Sequence, residues 1–195
     1  MLEIRTAKEE EFEKVVSFYD AVIDGMQNAK SKPGWKKGIY PDEKFLNGAI
    51  ERQELLIGIL DGVITGAMVA NHECADGYET IEWKTGAGPQ EVTVIHALGV
   101  LPEHQGKGLA GEMVNEVIRR ACIGRQKAIR LDVLAANVSA QRFYLSRGFE
   151  YCGTVKLFYE DTGLTEFLLY EYILLFKSFY YPVTAFSGPA APIPG

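Results

Sequence analysis

Cysteine is scarce: Cys74, Cys122 and Cys152 are the three among 195 residues, an odd number and widely spaced. No pair has metal-ligand spacing and no disulfide framework can be read from them, so the expected setting is reducing and cytoplasmic, with no bound metal. Long hydrophobic runs are missing too. The most apolar stretch, residues 167–176, contains Glu171 and falls well short of the roughly 20 residues a membrane-spanning helix needs, so no membrane association is expected. Glu3, Arg5, Lys8, Glu9, Glu10 and Glu11 leave no room near the start for the apolar core of a signal peptide. Basic charge is not in excess. With 20 Lys and Arg against 26 Asp and Glu, the net charge is -6, which argues against a nucleic-acid binder and is compatible with a cationic small substrate. No G-x-S-x-G elbow occurs, no cysteine is well placed as a nucleophile, and there is no internal repeat. What is there is globular in character: 47% apolar and 24% charged residues, at a length suited to one domain.

The periodicities give a clear element order. Residues 2–5 read as a strand. Phe12, Val15, Val16, Tyr19, Val22, Ile23 and Met26 follow helical spacing, with Thr6 expected as the N-cap. A loop over 28–41 carries Trp35 and Tyr40, and a short helix is expected over 42–52. Asp61-Gly62 between two apolar runs signals a hairpin. After a variable segment (72–90) come a strand EVTVIHALGV, a helix over 108–122, a strand IRLDVLAA, a helix over 137–148 ending on Gly148, and two strands around Asp161-Thr162-Gly163. This is a mixed α/β chain: a mostly antiparallel sheet, one β-α-β crossover with a parallel pair, and flanking helices. Residues 1–174 form the domain. Residues 175–195, rich in proline and aromatics, form an extension that could dock on the domain or on a second copy.

The most informative stretch is residues 94–114, VIHALGVLPEHQGKGLAGEMV. A strand leads through a glycine-bearing turn into a helix, and helix N-termini present unpaired N–H groups that suit phosphate. Gly106-x-Gly108-x-x-Gly111 matches a dinucleotide fingerprint literally. However, five residues separate it from its strand, and Asp132 lies inside a strand where a ribose-binding acid belongs at a strand end. A P-loop would need glycine at Leu101 and a hydroxyl residue at Gly108. A plain glycine turn without a ligand is the remaining alternative.

A fourth reading explains more positions. Gln105-Gly106-Lys107-Gly108-Leu109-Ala110 fits [QR]-x-x-G-x-[GA], and Asn137-x-x-Ala140-x-x-Phe143-Tyr144-x-x-x-Gly148-Phe149 follows at the expected distance. Together these resemble the GNAT superfamily of N-acetyltransferases, over residues 2–174. The resemblance implies acetyl-CoA as acyl donor, its pyrophosphate held by residues 105–110 and its pantetheine arm by the backbone of Leu98, Gly99 and Val100. The Leu98 N–H would face the thioester oxygen, and Asn137 would cap its helix and could bond the coenzyme A arm. Tyr144 matches the family's general acid toward the thiolate. The strand with His96-x-Leu98-x-Val100 is similar to that of the arylalkylamine N-acetyltransferases, where a histidine is implicated as base, whereas many other relatives place a glutamate there. Alternation puts His96 and Leu98 on one face; a buried histidine merely satisfied by hydrogen bonds is the other reading. Trp35, Tyr40 and Trp83 are candidate contacts for the amine. The acceptor is a primary amine of a small molecule or peptide. A non-catalytic acyl-CoA sensor is the alternative, and a nicotinamide-dependent oxidoreductase a distant third. Many relatives are dimers, so a homodimer is an expectation by analogy alone.

Overall fold

A computed structural model describes residues 2–29 and 31–174, and the expected extension 175–195 lies outside the described residues. Strands β1 (Glu3–Thr6), β2 (Leu55–Leu60), β3 (Val63–Asn71), β4 (Val92–Val100), β5 (Ala128–Leu134), β6 (Glu150–Tyr159) and β7 (Gly163–Ile173) form one sheet. Helices α1 (Phe12–Gly25), α2 (Glu43–Glu51), α3 (Leu109–Ile123) and α4 (Val138–Ser146) pack on it. The sheet order is β1-β2-β3-β4-β5-β7-β6. Every neighbouring pair is antiparallel except β4 with β5, which α3 joins as a crossover. The sequence reading expected that crossover alone, but α4 makes a second one, because β7 inserts between β5 and β6.

Local chemistry accounts for most boundaries. Asp61 and Gly62 both take positive φ, 52° and 80°, the pair of left-handed residues that a tight hairpin turn requires. Asp42 caps α2 by accepting from the Phe45 N–H at 2.7 Å. The expected cap at Thr6 is not observed. Thr6 instead closes β1, and its hydroxyl accepts from the Arg120 guanidinium at 3.0 Å. One 3-10 turn, Glu9–Glu11, begins the helical segment, with the Glu11 carboxylate accepting from the Lys8 N–H at 3.0 Å.

Apolar side chains fill both sides of the sheet. Val15, Phe18, Tyr19 and Val22 of α1 pack with Leu46 and Ile50 of α2 over one face, while Met113, Val114, Val117 and Tyr144 cover the other. The segment between β3 and β4 crosses beside β5 and β7 and is pinned by charge. Arg130 donates to Glu171 at 2.9 Å, Thr85 donates to both Glu171 oxygens, and the Arg130 guanidinium lies 4.2 Å from the centre of the Trp83 ring. The Arg130 and Glu171 side chains are 6% and 0% exposed, so each charge depends on the other.

Two irregularities of β4 shape the centre of the sheet. The parallel pair holds register only at Val92↔Ala128, Thr93↔Ile129 and Val94↔Arg130, after which β4 and β5 diverge. On its other side β4 bulges against β3: the pairing moves from Val69↔His96 to Ala67↔Gly99, three residues of β4 for two of β3. The extra residue, Ala97, sits at φ 51°. A left-handed conformation costs a non-glycine residue about 1–2 kcal/mol, and the buried Tyr19 hydroxyl, donating to the Ala97 carbonyl at 2.8 Å, helps to offset it. The bulge overturns the expected alternation. His96 faces the Phe45 ring of α2 and Ala97 joins the same core, whereas Leu98 packs on the α3 and α4 side.

Candidate active site

Where β4 and β5 part, no strand fills the gap, and a cavity of about 260 Å³ opens through the sheet. It is lined from both faces. Leu98, Val133, Asn137 and Tyr144 come from the α3 and α4 side, and Trp35, Tyr40, His96 and Asp132 from the other. Leu98, Gly99 and Val100 border it with main chain that has no β5 partner; apart from the Val100 carbonyl, which Gln105 occupies, that edge is open to a ligand.

The expected phosphate turn begins at the rim. Gln105 lines the cavity, and its side-chain amide donates to the Val100 carbonyl at 3.0 Å, tying the turn to the strand end. Gly106, Lys107 and Gly108 follow as an exposed turn. The two glycines have φ 73° and 87°, and a Cβ on either would meet nothing within 4 Å. They are needed for their backbone conformation and for the open space above it. Gly108 is the N-cap of α3, Leu109 is buried beneath the turn and Ala110 is half-buried.

Tyr144 is set by packing. Its ring lies 5.1 Å from Phe143 and 5.3 Å from Phe149, both edge-on, and its hydroxyl has no protein partner among the described residues. Burial, and then the charge of Asp132, raises its pKa, so the phenol stays protonated. Asn137 caps α4, its Oδ1 accepting from the Ala140 N–H at 3.3 Å and from the Ser31 hydroxyl at 3.1 Å. Ser31 in turn accepts from the Ser139 N–H at 2.9 Å, fastening the loop after α1 to the start of α4.

His96 is held by one ring nitrogen. Its Nε2 lies 2.9 Å from Asn71 Oδ1, an oxygen that already accepts from the Glu73 N–H at 3.0 Å. Nε2 is therefore the protonated nitrogen, and Nδ1 keeps the free lone pair. Burial pushes the ring pKa down to about 4, so His96 is neutral near pH 7 and only weakly basic.

Trp35 and Tyr40 are brought together at the cavity, with ring centres 6.3 Å apart, and Tyr40 packs equally close to Tyr159. Trp83 is not among the residues lining it. Its indole N–H donates to the Tyr78 carbonyl at 2.8 Å and its face is covered by Arg130, so it serves the core. Sequence reasoning passed over Asp132 as a site residue. It lines the cavity, and its Oδ1 accepts from the Tyr78 hydroxyl at 2.8 Å and, at 3.4 Å, from that of Tyr159. The available signal was charge on one face of an otherwise apolar strand, Arg130 and Asp132 two apart. Arg130 is matched by Glu171; Asp132 has no such cation among its hydrogen-bond partners.

The site combines free backbone donors, a phosphate-compatible turn, a protonated phenol and an aromatic pocket with a carboxylate. Among the described residues no group of three His, Cys, Asp or Glu could hold a metal, and no helix is long and apolar enough to cross a membrane. Residues 18–149 match the acetyltransferase (GNAT) family, and the chain belongs to it. A curated relative, N-alpha-acetyltransferase 60 from Xenopus tropicalis, is 26% identical over 153 residues, or 77% of this chain and 61% of the relative. The chain thus spans about three fifths of that relative's length. An acetyltransferase of the GNAT family from Streptococcus agalactiae superposes with a TM-score of 0.73 at 21% identity, over 88% of this chain and 95% of that one. The PaiA N-acetyltransferase from Thermoplasma acidophilum, in complex with coenzyme A, gives 0.64 at 17%, over 89% and 99%.

Proposed function

We propose that this protein transfers the acetyl group of acetyl-CoA directly to a primary amine. The observation that carries the reading is the cavity at the β4/β5 splay, which collects unpaired β4 backbone, the Gln105 rim and the Tyr144 phenol. The pyrophosphate rests on the N–H groups around residues 105–110, where Gly106 and Gly108 admit it and the positive end of α3 favours its charge. Lys107 adds a charge at the exposed rim. The pantetheine arm pairs with Leu98, Gly99 and Val100 in place of the absent strand, and Asn137 bonds it from the start of α4. The Leu98 N–H polarises the thioester oxygen, a donor acting where negative charge develops. Because the bulge turns the Leu98 side chain toward the α3 and α4 side, its role is one of main chain only.

Juxtaposing the thioester and the amine supplies most of the acceleration. The amine nitrogen attacks the carbonyl carbon, the C–N bond forms, and the C–S bond breaks with its electron pair on sulfur. Tyr144 gives the thiolate its proton, and the proton that the nitrogen loses on becoming an amide restores the phenol by way of solvent. His96, with a neutral ring and a free Nδ1 lone pair, accepts a hydrogen bond from the amine or a bridging water and orients the attack. Trp35 and Tyr40 form the acceptor side. No covalent enzyme intermediate is required.

A calorimetric titration with acetyl-CoA, with NADH and ATP as controls, tests the reading. We expect binding of acetyl-CoA alone, followed by release of coenzyme A when an amine is supplied. No binding of acetyl-CoA overturns the assignment, and binding with no turnover on any amine favours an acyl-CoA sensor instead.

A further inference from the structure

We propose that Arg147 is the seat of the 3′-phosphate of coenzyme A, and that Gly111 is a glycine to make room for it. The inference rests on the acetyltransferase reading above and deepens it at the donor end. It names the residue that selects acetyl-CoA over the same thioester without that phosphate.

Gly111 has no need of a glycine's backbone freedom. Gly106 and Gly108 take positive φ, whereas Gly111 lies in the first turn of α3 with ordinary φ. Glycine there weakens a helix relative to alanine. Its reason is a neighbour: a Cβ on Gly111 would collide with the guanidinium of Arg147, which lies against α3 where a side chain would otherwise stand. Arg147 is the C-cap residue of α4, and its guanidinium also packs 5.6 Å from the centre of the Phe143 ring. The arginine head is thus laid between its own helix and the first turn of α3.

Pairing does not account for this placement. Arg5, Arg52, Arg119, Arg120 and Arg130 each meet a carboxylate. Among the described residues the Arg147 guanidinium meets none, and Glu112, the acid in the first turn of α3, does not pair with it. Arg125 and Arg142 are also unpaired, but neither packs on an aromatic ring. Arg147 is exposed, so its N–H donors are open to solvent. A guanidinium held flat in this way offers the fork of donors that a phosphate accepts.

Its position selects the phosphate. Gly111 lies three residues into α3 from Gly108, about 4.5 Å along the axis at about 1.5 Å per residue. Arg147 therefore stands beside the glycine turn and not on it. The pyrophosphate takes the turn itself and the N–H groups at the start of α3. Coenzyme A carries one further phosphate, on the 3′ carbon of the ribose attached to that pyrophosphate, one sugar away. The positive end of α3 adds to the attraction for it.

Acetyl-CoA and acetyl-3′-dephospho-CoA differ by this phosphate alone. Calorimetry on the wild type should give a Kd about tenfold or more lower for acetyl-CoA, the worth of a charge-assisted contact at an exposed site. In Arg147→Gln the acetyl-CoA Kd should rise to that of the dephospho compound, whose own Kd should not change. Gly111→Ala displaces the guanidinium from the other side and should abolish the preference as well. Its melting temperature should hold or rise, because alanine favours the helix and a side-chain tip is all that must move. Equal affinities in the wild type, a preference kept by either variant, or equal weakening of both compounds by Arg147→Gln would overturn the inference. A wild type that binds neither compound is a different result and overturns the acetyltransferase reading.

Discussion

Replacing Tyr144 by phenylalanine removes one oxygen from the cavity and disturbs little else. The ring is fixed by its edge-on contacts with Phe143 and Phe149, which phenylalanine keeps. The hydroxyl has no protein partner among the described residues, so its removal strands no buried donor or acceptor, and stability should change by less than about 0.5 kcal/mol. The effect should fall on the chemical step. The phenol, its pKa raised by burial, stays protonated through the neutral and mildly alkaline range, whereas an ordinary thiol ionises near pH 8.5. Without a proton donor at that place the thiolate must leave unassisted. A general acid contributes roughly 100- to 10,000-fold, equivalent to about 2.7–5.4 kcal/mol of barrier at about 1.36 kcal/mol per tenfold. Coenzyme A release at saturating acetyl-CoA, followed with a thiol reagent, measures kcat; thermal melting and calorimetry measure stability and acetyl-CoA affinity. The expected pattern is a kcat lowered by about 100-fold or more with the other two unchanged. A kcat within threefold of wild type refutes the assignment, and a parallel collapse of stability or affinity refutes the reasoning behind it.

Gly108→Val forces a branched side chain to φ 87° and fills space that is open above the turn. Stability should drop by about 1–2 kcal/mol, while the calorimetric Kd for acetyl-CoA rises by more than that strain alone explains. Glu171→Ala leaves Arg130 as a buried, unmatched charge, so urea unfolding should show a loss of about 3–5 kcal/mol. Replacing both partners with apolar residues should recover much of it. Asp132→Asn should stabilise the free protein near neutral pH. A carboxyl with a raised folded pKa makes its stabilising contribution below its unfolded pKa, near 3.9, and loses it as pH rises through the folded value. The melting temperature of the variant should therefore exceed that of wild type at about pH 7, with the gap closing toward about pH 4. A less stable variant at neutral pH would contradict this.

Much of the architecture was legible because its causes are local. Helical spacing from Phe12 to Met26, the Asp61-Gly62 turn and the Asn137 cap depend on residues within a few positions of one another. The same holds for the turn from Gln105 to Gly108: backbone that needs positive φ beside a helix start declares itself through glycine. With the Asn137 to Phe149 pattern it was enough to point to the family and to Tyr144. The boundary of α1 was misplaced because a capping residue such as Thr6 carries the same signal whether it opens a helix or ends a strand.

The aromatic side of the cavity depended on contacts between distant segments. The bulge at Ala97 uses an alanine in a glycine-like conformation, held by Tyr19 from 78 residues away; no local pattern announces it, yet it separates His96 from the Leu98 face. Trp83 looked like Trp35 and Tyr40 in sequence, but Arg130 claimed it. Asp132 and Arg130 are equally charged positions on one buried strand, and only the fold matches Arg130 to Glu171 and turns Asp132 toward the cavity. Local sequence therefore determined the elements and the glycine turn after Gln105, because backbone conformation is decided within a few residues. The tertiary structure decided which buried charges are matched, because matching needs a partner brought from elsewhere in the chain.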